Sequence, residues 1–515
     1  MNAGASTSNP GPLGVVDVGA HSVRLEIAQF GEDGQVQTLD RLQHDVPLGA
    51  DAFSNGVISA ENVRMVGDIL RDFATVMNEY GVRNRRAVAT SAVREADNRD
   101  IFVHRVEQMS GIRLAILDGP EEIRLIFTAV ADILSERFGL NRYNAVIFTI
   151  GTGASLISFL EKGMLKNCET VRLGTLRVVE QLEGPVSYNR LRDLIDPFVG
   201  SVVSEVTRMA STEKPELFVA VGSTVRTLIR LGGRRVSGKV ATMTRGRFEE
   251  IFERIADVPV ADLASRYSIS DTMAQSLQPC CDMLEHFFDM TETNRLLVPM
   301  ITTRDALIQD FYREMIGQED RFVPQILSVA DHIGRRYHYD AEHARSVADL
   351  ACVLFDQLRE LHGLTDRDRL LLEVAALLHD IGQFVSRRAH HKHSFYLVRH
   401  SEIPGISPHE QEVLAAVVRY HRRSMPRSQH LEYTSLPSDE RVRVCKLAAL
   451  LRVVDGLDRR HQGRIRTLRA TIEDNALVLN VEGPDDLTLE QWGLRRKADL
   501  FESVFGLRVI LVAQS

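Results

Sequence analysis

The chain is poor in the features that mark secreted, membrane-spanning and DNA-binding proteins. Its five cysteines are scattered and form no CxxC pair, which argues against a disulfide framework and against a thiolate zinc site. No apolar run approaches the roughly 20 residues that a membrane helix needs. The opening residues, MNAGASTSNPGPLG, lack the basic and apolar regions of a signal peptide. We therefore expect a cytoplasmic protein with no membrane partner and with a flexible tail at residues 1–12.

An excess of positive charge is also missing. The 515 residues carry a formal net charge of −8, so no large basic face is available for DNA. Hydrophobic residues make up 44% and charged residues 26%, as in ordinary globular proteins. The basic residues recur in local clusters, at 83–86, at 387–393, at 422–423 and at 459–461. Any one cluster is more simply a solvated surface, but their repetition favours a focused site for an anionic ligand.

Two segments of the N-terminal half repeat one pattern. Residues Gly14–Phe30 read as a strand, a glycine turn and a second strand with alternating apolar residues. Residues Ala145–Gly163 show the same order of strand, glycine and alternating strand. The two copies align Asp17 with Thr149, Gly19 with Gly151 and Arg24 with Leu156. The repetition predicts an internal duplication.

The remaining patterns predict an α/β half followed by a helical half. Strands alternate with helices up to about residue 235, which favours a pair of α/β domains. From about Arg245 the strand patterns end, and helical periodicity continues to about Leu468. Two short strands, a helix and a last strand close the chain. The predicted division is a tail at 1–12, α/β domains at 13–140 and 141–315, a helical domain at 320–470 and a small α+β domain at 471–515.

Several turns of the first half have the composition of phosphate sites. In Asp17-Val-Gly-Ala-His-Ser22-Val-Arg24, an acid, a glycine turn and a hydroxyl can hold Mg²⁺ and a phosphate. The segment 89–98, ATSAVREADN, follows a strand and opens a helix, so that its N–H groups and Arg94 can face an anion. Each motif alone has a simpler explanation, such as a hairpin turn or Ser91 acting as a helix cap.

Three further motifs extend this set. In the segment 119–127, GPEEIRLIF, a carboxylate in the first turn of a helix can orient or deprotonate a water molecule. Ile150-Gly-Thr-Gly153 and Val221-Gly-Ser-Thr-Val-Arg226 supply free N–H donors at strand ends. A helix-start acid and plain turns explain them equally well when each is taken singly.

Taken together, the motifs resemble the exopolyphosphatase/guanosine pentaphosphate phosphatase family of the sugar kinase–actin–chaperone ATPase superfamily. The first half carries VDVGAHSVRL, ATSAVREADN, DGPEEIRLIF, VRLGTLRVVE and AVGSTVRTL. The second carries LLHDIGQFVSRRAHHKHSFYLVRHSEIPGIS, VVRYHRR, LLRVVDGLDRRH and the helix around Trp492. The resemblance covers nearly the whole chain. It implies two actin-like (RNase H-like) α/β domains, then an all-helical HD-type domain and a small α+β cap.

The same resemblance implies an activity and a site. Family members release terminal phosphate from polyphosphate or guanosine pentaphosphate with Mg²⁺ or Mn²⁺, and a homodimer is expected. Glu122 matches the catalytic base. Asp17 matches the metal-linked acid. The implied phosphate contacts are Ser22, Arg24, Arg94, Gly151, Gly153, Gly222, Thr224 and Arg226.

The chain departs from the family pattern at the second glycine turn. Family members usually carry Asp-Ile-Gly-Gly-Gly-Ser-Thr-Glu there, whereas this chain has Thr149 in place of the first acid and Leu156 in place of the last. Two carboxylates are therefore missing from a site that works by electrostatics. A second hypothesis follows, in which the protein binds a phosphate chain or an alarmone and hydrolyses it slowly or not at all.

The helical half resembles the HD metal-dependent phosphohydrolases. His343, the pair His379-Asp380, and Asp455 occur in the order that this group uses. Two imidazoles and two carboxylates on helices can converge on one or two divalent ions. His393 and His421 are candidates for extra ligands or phosphate contacts. A third hypothesis is thus a phosphohydrolase acting through this half; the alternatives are a helix end without function, and a degenerate domain used for dimerisation or polyphosphate channelling.

Overall fold

The chain folds into two compact units, Met1–Phe322 and Val323–Ser515, called unit 1 and unit 2 below. The computed structural model describes residues 11–513 apart from 32–33, 136–137, 257, 319, 423, 484–485 and most of 181–213. The predicted tail at 1–12 therefore lies outside the described residues up to position 10. The finer division of each unit into two domains stays a prediction.

The first half of unit 1 is built on a five-stranded sheet of order β3-β2-β1-β4-β5. Its elements are β1 (Leu13–Val18), β2 (Ser22–Phe30), β3 (Val36–Asp45), α1 (Leu48–Asn55), α2 (Ala60–Glu79), β4 (Asn84–Ala89), α3 (Ser91–Glu95), α4 (Arg99–Ser110), β5 (Leu114–Ile116) and α5 (Gly119–Leu134). Strand β1 pairs antiparallel with β2 and parallel with β4.

The second half of unit 1 is built on a seven-stranded sheet of order β10-β11-β12-β9-β6-β7-β8. Its elements are β6 (Ala145–Ile150), β7 (Ser155–Glu161), β8 (Met164–Val171), α6 (Thr175–Glu180), β9 (Leu217–Val221), α7 (Ser223–Gly232), β10 (Arg234–Ser237), β11 (Val240–Thr244), α8 (Arg245–Ala256), α9 (Val260–Tyr267), α10 (Asp271–Asp289), β12 (Arg295–Pro299) and α11 (Thr303–Met315).

The predicted duplication is confirmed by strand order and by register. Read from its other edge, the second sheet repeats the first, because β8-β7-β6-β9-β12 corresponds to β3-β2-β1-β4-β5. Asp17 lies opposite Arg24 in the first hairpin. Thr149 lies opposite Leu156 in the second. The alignment of these pairs in the sequence therefore reflects equivalent positions in two copies of one sheet.

The prediction that strands end at about Arg245 is wrong for β12. This strand has the sequence RLLVP and pairs parallel with β9. A short apolar run buried on both faces shows no alternation, so periodicity does not separate it from a piece of helix. This strand matters for the candidate site, because the turn that follows it lines the cavity described below.

Unit 2 begins as a helical bundle and ends in a small sheet. The helices are α12 (Val323–Arg336), α13 (Ala341–Gln357), α14 (Arg359–His362), α15 (Asp366–Leu378), α16 (His390–Arg399), α17 (Pro408–Arg419), α18 (Leu431–Thr434), α19 (Ser438–Leu457), α20 (Thr488–Lys497) and α21 (Asp499–Phe505), with a 3-10 turn at Ile381–Phe384. Strands β13 (Thr467–Glu473), β14 (Ala476–Glu482) and β15 (Arg508–Ala513) form the sheet. Within the part of the chain described, no helix combines the length and the apolarity that crossing a bilayer requires.

The core of the second half of unit 1 supplies a test of the fold. Phe287 of α10 is fully buried, and its ring stacks on that of Phe148 in β6 at 3.8 Å between centroids. We expect Phe287→Ala to lower the stability of unit 1 by about 3–5 kcal/mol, because it removes a large buried side chain and leaves a cavity. The midpoint of chemical denaturation, followed by circular dichroism, measures this. Ile101→Ala, at a side chain that is 61% exposed on α4, is the control and should shift the midpoint little.

Candidate functional sites

A polar cavity of about 500 Å³ lies where the two sheets of unit 1 present their strand ends. Strands β1, β4, β6, β9 and β12 each contribute the residues that follow their carboxyl ends. The lining groups are Gly19–Ser22, Thr90–Ser91, Gly151 and Thr152, Gly222–Ser223, and Met300–Arg304. Ligand sites of open α/β sheets form at this edge, since the chain leaves the sheet there and its backbone N–H groups are free.

Two glycines allow these turns to be tight and close together. Gly222 has φ of +149°, and a Cβ atom on it would lie 2.5 Å from the carbonyl oxygen of Ile150. A Cβ atom on Gly151 would lie 2.5 Å from the carbonyl oxygen of Ala154. Gly222 therefore lets the turn after β9 meet the end of β6, and Gly151 lets the turn after β6 close tightly on itself.

The cavity is strongly cationic. Its lining contains six arginines and two carboxylates. The arginines are Arg24, Arg94, Arg226, Arg230, Arg235 and Arg304, and the carboxylates are Asp17 and Glu122. Arg24 Nη1 lies 3.5 Å from Asp17, and Arg94 Nη1 lies 3.6 Å from Glu122. No carboxylate of the described residues forms an ion pair with the other four, so the cavity has an excess of positive charge suited to a polyanion.

Among these arginines, Arg226 and Arg304 have unpaired donors and lowered pKa values. The Nε–H groups of both are buried without a hydrogen-bond partner among the described residues. Burial lowers the pKa of Arg226, and Arg304 and Arg24 lower it further against the opposing effect of Asp305. Burial and Arg24 likewise lower the pKa of Arg304. An anion in the cavity would relieve both the repulsion and the unpaired donors.

The two adjacent glutamates of α5 have different surroundings. Glu121 is held by Arg124, whose Nε and Nη2 donate to it at 2.8 and 2.7 Å. Glu122 lines the cavity, and burial raises its pKa against the opposing effect of Arg94. Arg94 is fixed in turn, because its Nη1 donates to the carbonyl oxygen of Leu117 at 2.6 Å. Glu122 is thus the glutamate of this pair that faces the cavity, and a raised pKa is a property that a general base requires.

Most of the predicted site residues of unit 1 line this cavity. Those that line it are Asp17, Ser22, Arg24, Arg94, Glu122, Gly151, Gly222 and Arg226. Thr149 also lines it, whereas Leu156 opposite is buried in the sheet. Ser91 does not cap α3, because the cap residue is Thr90 and its side chain makes no capping hydrogen bond. Both residues line the cavity instead.

Gly153 and Thr224 do not line the cavity, so the structure corrects these two predictions. A Cβ atom on Gly153 would lie 2.3 Å from the ring of Phe53, so this glycine serves packing. Thr224 is buried, because α7 begins at Ser223 and each helical residue is rotated about 100° from the one before. Ser223 faces the cavity in its place.

Arg230, Arg235 and Arg304 line the cavity but were not predicted. Arg230 lies four residues after Arg226 on α7, and this spacing was a usable signal. Arg304 follows β12, the strand that periodicity missed.

Unit 2 contains a second site, a buried cluster of histidines and aspartates. The predicted ligands converge: His343 of α13, His379 and Asp380 at the end of α15, and Asp455 of α19. The Nε2 atoms of His343 and His379 lie 3.7 and 4.0 Å from Asp455 Oδ1. His379 Nε2 lies 3.8 Å from Asp380 Oδ2. These spacings are those of side chains that surround a small cation.

The other oxygen of Asp380 faces two more histidines. Oδ1 lies 3.0 Å from His390 Nε2 and 3.5 Å from His421 Nε2. His421 was a predicted candidate. His393 is not in either group of converging ligand atoms, and His390, three residues earlier on α16, occupies the place expected for it. Asp380 thus joins two groups of possible metal ligands.

Three imidazoles are fixed with Nε2 toward the centre of the cluster. Their Nδ1–H groups donate to fixed acceptors: His343 to Asp458 at 2.8 Å, His379 to the carbonyl of Ala376 at 2.7 Å, and His421 to the carbonyl of Val418 at 2.6 Å. This is the usual support of metal-binding histidines. The Nε2 atoms of His343 and His379 are buried and have no hydrogen-bond partner among the described residues.

A bound metal requires neutral imidazoles and ionised carboxylates, and most charges of the cluster fit this requirement. The pKa of His343 is the exception, because Asp458, Asp455 and Asp380 outweigh the effect of burial and raise it. Burial lowers the pKa of His379 to about 4. The pKa of Asp380 lies well below its ordinary value, because His379, His390 and His421 outweigh the effect of burial. The pKa of Asp455 is also lowered, chiefly by the ammonium of Lys497, which contacts it directly. Imidazoles and carboxylates together suit Zn²⁺, Mn²⁺ or Fe²⁺ better than Mg²⁺, which prefers oxygen alone.

Comparison with known proteins assigns both units to one family. The sequence profile of the Ppx/GppA phosphatase family matches residues 27–311. The profile of Ppx/GppA phosphatase, domain III, matches residues 327–499.

Curated relatives align over almost the whole chain. The guanosine-5'-triphosphate,3'-diphosphate pyrophosphatase of Vibrio atlanticus is 24% identical over 492 residues, covering 93% of each chain. That of Photobacterium profundum is 22% identical over 480 residues, covering 90% of each.

Solved structures share the fold over about 60% of this chain. An exopolyphosphatase from Cytophaga hutchinsonii aligns with a TM-score of 0.54 at 18% identity, covering 60% of this chain and 99% of that one. The Ppx/GppA family member from Aquifex aeolicus aligns with a TM-score of 0.50 at 19% identity, with the same coverage.

The crowding of arginines in the cavity of unit 1 predicts that Arg226→Met raises the stability of the free protein but weakens its stabilisation by an anion. We expect Arg226→Met to raise the melting temperature of the ligand-free protein by about 2 °C, because it removes a partly buried charge from repelling neighbours. The same substitution should reduce the stabilisation produced by added pyrophosphate, because a phosphate contact is lost. Thermal melts with and without pyrophosphate measure both effects.

Arg234→Met is the matched control, since Arg234 is exposed on β10 and does not line the cavity. It should change neither quantity. Equal losses of stability with and without pyrophosphate in Arg226→Met would instead assign Arg226 a purely structural role.

Proposed function

The chain belongs to the Ppx/GppA phosphatase family, and we propose that it hydrolyses the terminal phosphate of polyphosphate or guanosine pentaphosphate in the cavity of unit 1. The observation that carries this proposal is the excess of arginine around one candidate base, Glu122. The duplicated sheet order supports an actin-like assignment for unit 1. The cytoplasmic location and the homodimer stay predictions.

The residues of the cavity divide the work of phosphoryl transfer. Arg24, Arg226 and Arg304 would neutralise the phosphate oxygens, and the free N–H groups of the glycine turns would orient them. Glu122 would accept a proton from the attacking water. The new bond joins the water oxygen to the terminal phosphorus, and the bond from that phosphorus to the bridging oxygen breaks, so that the shortened chain leaves with its charge stabilised by arginine.

A divalent metal fits this cavity through Asp17. Mg²⁺ is commonly held by one or two carboxylates, with substrate phosphate oxygens and waters completing its shell. Asp17 supplies one carboxylate at the end of β1, and Thr149 supplies a hydroxyl at the equivalent place in the second copy. When bound, the metal would neutralise charge on the phosphate chain.

The binding-only hypothesis predicts a different outcome at the same cavity. Thr149 and Leu156 leave Asp17 and Glu122 as the two acids of the lining. A protein of this kind would bind polyphosphate or guanosine pentaphosphate and release no phosphate. Turnover by the purified wild-type protein decides between the two hypotheses.

A second candidate function is supported by the cluster of unit 2. The convergence of His343, His379, Asp380 and Asp455, with buried Nε2 atoms that lack partners, supports an HD-type metal site. Such a metal would activate water and polarise a phosphoryl group. We propose that unit 2 carries a metal-dependent phosphohydrolase site separate from the cavity of unit 1.

Substitution of the two adjacent glutamates tests the first function. We expect Glu122→Gln to reduce phosphate release from polyphosphate or guanosine pentaphosphate by about 10²–10⁴-fold, because the general base is lost. Glu121→Gln is the control and should leave the rate within a few-fold of wild type, because Glu121 is engaged by Arg124. Phosphate release is measured with each substrate in Mg²⁺ and in Mn²⁺. Full activity in Glu122→Gln would refute the assignment of Glu122, and loss only in Asp380→Asn would transfer the activity to unit 2.

Metal content tests the second function independently of turnover. We expect the wild-type protein to retain a divalent metal after dialysis and to melt at a higher temperature with added Mn²⁺. Asp380→Asn and His379→Ala should lose both properties. His400→Ala changes an exposed histidine outside the cluster and should keep both. A wild-type protein free of metal, with a melting temperature that Mn²⁺ does not change, would exclude the metal site.

A further inference from the structure

A small cavity adjoins the histidine–aspartate cluster of unit 2. It has a volume of about 130 Å³. Asp380, His390, His421 and Asp455 form one side, and cationic residues with Trp492 form the other. Four of the possible metal ligands therefore line a space large enough for one or two phosphoryl groups, whereas His343 and His379 lie behind them and do not line it.

A close helix crossing builds the cationic side. A Cβ atom on Gly493 of α20 would lie 2.7 Å from the carbonyl oxygen of Gly456 in α19. The two helices approach this closely because both positions are glycine. The crossing brings Trp492, Arg496 and Lys497 beside Asp455, and Lys497 contacts the carboxylate of Asp455.

Three arginines of this cavity lack anionic partners. Arg422, Arg459 and Arg496 line it, and no carboxylate among the residues described forms an ion pair with any of them. The neighbouring Arg460 behaves differently, since it lies 3.4 Å from Asp486 and 3.5 Å from Glu490. Arginines left unpaired around a cavity are suited to bind phosphate, which accepts their paired N–H donors.

Trp492 holds two of these guanidinium groups in place. The Cζ atom of Arg496 lies 4.5 Å from the centre of the indole ring, and that of Arg459 lies 5.9 Å from it. Cation–π contacts at these distances restrict the guanidinium planes. Trp492 is therefore a positioning residue for the cationic side of the cavity.

The cavity opens into a wider groove. A second space of about 540 Å³ shares Asp380, Arg422 and Arg459 with it and continues past Tyr337 and Arg387. Two residues of this groove, His338 and His461, have positive φ values of 50° and 54°. Strained backbone of this kind concentrates at ligand sites. The groove offers room for the rest of a molecule whose terminal phosphate lies in the small cavity.

We propose that unit 2 binds the terminal phosphoryl group of a phosphorylated ligand between Arg422, Arg459 and Arg496, beside the histidine–aspartate cluster. This inference rests on the second proposed function and names the substrate class of that site. A nucleotide and an inorganic polyphosphate share the required chemistry. The site is distinct in its residues from the cavity of unit 1.

The tryptophan of the cavity makes a direct test possible. Trp492 is the only tryptophan of the chain, so intrinsic tryptophan fluorescence of the full-length protein reports on this site alone. We expect saturable fluorescence changes with pyrophosphate. Arg459→Gln and Arg422→Gln should each weaken binding by about tenfold, because each removes charged hydrogen bonds to phosphate.

Two control variants test whether the fluorescence change comes from binding at this cavity. Arg460→Gln is a matched change at the adjacent, paired arginine and should leave the dissociation constant within about twofold. Arg226→Gln changes the cavity of unit 1 and should leave the fluorescence titration unchanged. The proposal is overturned if no saturable change occurs, if Arg459→Gln and Arg422→Gln both bind as wild type does, or if Arg226→Gln alone abolishes the signal.

Further titrations identify the source of the phosphate and separate this proposal from the metal site. Tighter binding of guanosine diphosphate than of polyphosphate would identify a nucleotide ligand, and the reverse order would identify a phosphate chain. Each titration is run in Mg²⁺ and in EDTA. Binding that persists in EDTA supports the phosphate pocket even where metal analysis excludes the metal-dependent function.

Discussion

Buried polar groups without hydrogen-bond partners are the constraint on which both units depend. In unit 1 the groups are guanidinium donors, and Arg226 and Arg304 keep buried Nε–H groups without partners. In unit 2 they are the Nε2 atoms of His343 and His379. A buried polar group without a partner destabilises a fold by roughly 1–3 kcal/mol. Apolar packing elsewhere must offset this cost, and the stacked rings of Phe148 and Phe287 are one example of such packing.

The fold can keep these unpaired groups in place because rigid elements hold each of them. In unit 1 the carboxyl ends of parallel strands set the positions of the turns, and the helices that follow carry Arg94, Glu122 and Arg226. In unit 2 a hydrogen bond at Nδ1 fixes each of three imidazoles before any ligand binds. Preorganised groups of this kind need no reorganisation when charge develops on a ligand, which is the property that favours catalysis.

The two units suit different parts of phosphate chemistry. The cavity of unit 1 combines many arginines with one available base, so charge neutralisation by the protein itself is its main resource. The cluster of unit 2 combines imidazoles and carboxylates with a short row of arginines, so a transition metal would supply most of its charge. The chain therefore contains two chemically distinct arrangements that are suited to phosphate.

The sequence by itself determined the family, the duplicated hairpins and the turns that carry most of the candidate site residues, since these depend on local patterns. Asp17, Arg94, Glu122 and Arg226 occur in turns whose strands and helices are readable one at a time, and the His379-Asp380 pair is visible without a fold. Only the tertiary structure decided which neighbours in each turn face the cavity, so that Ser223 replaced Thr224 and His390 replaced His393. It also brought Arg304 to one cavity and Lys497 to the other. Both lie far along the chain from the predicted residues of these sites, so no local sequence pattern could place them there. The physical reason is that the direction of a side chain depends on the rotation of its helix and on the packing of distant elements, and a single turn encodes neither.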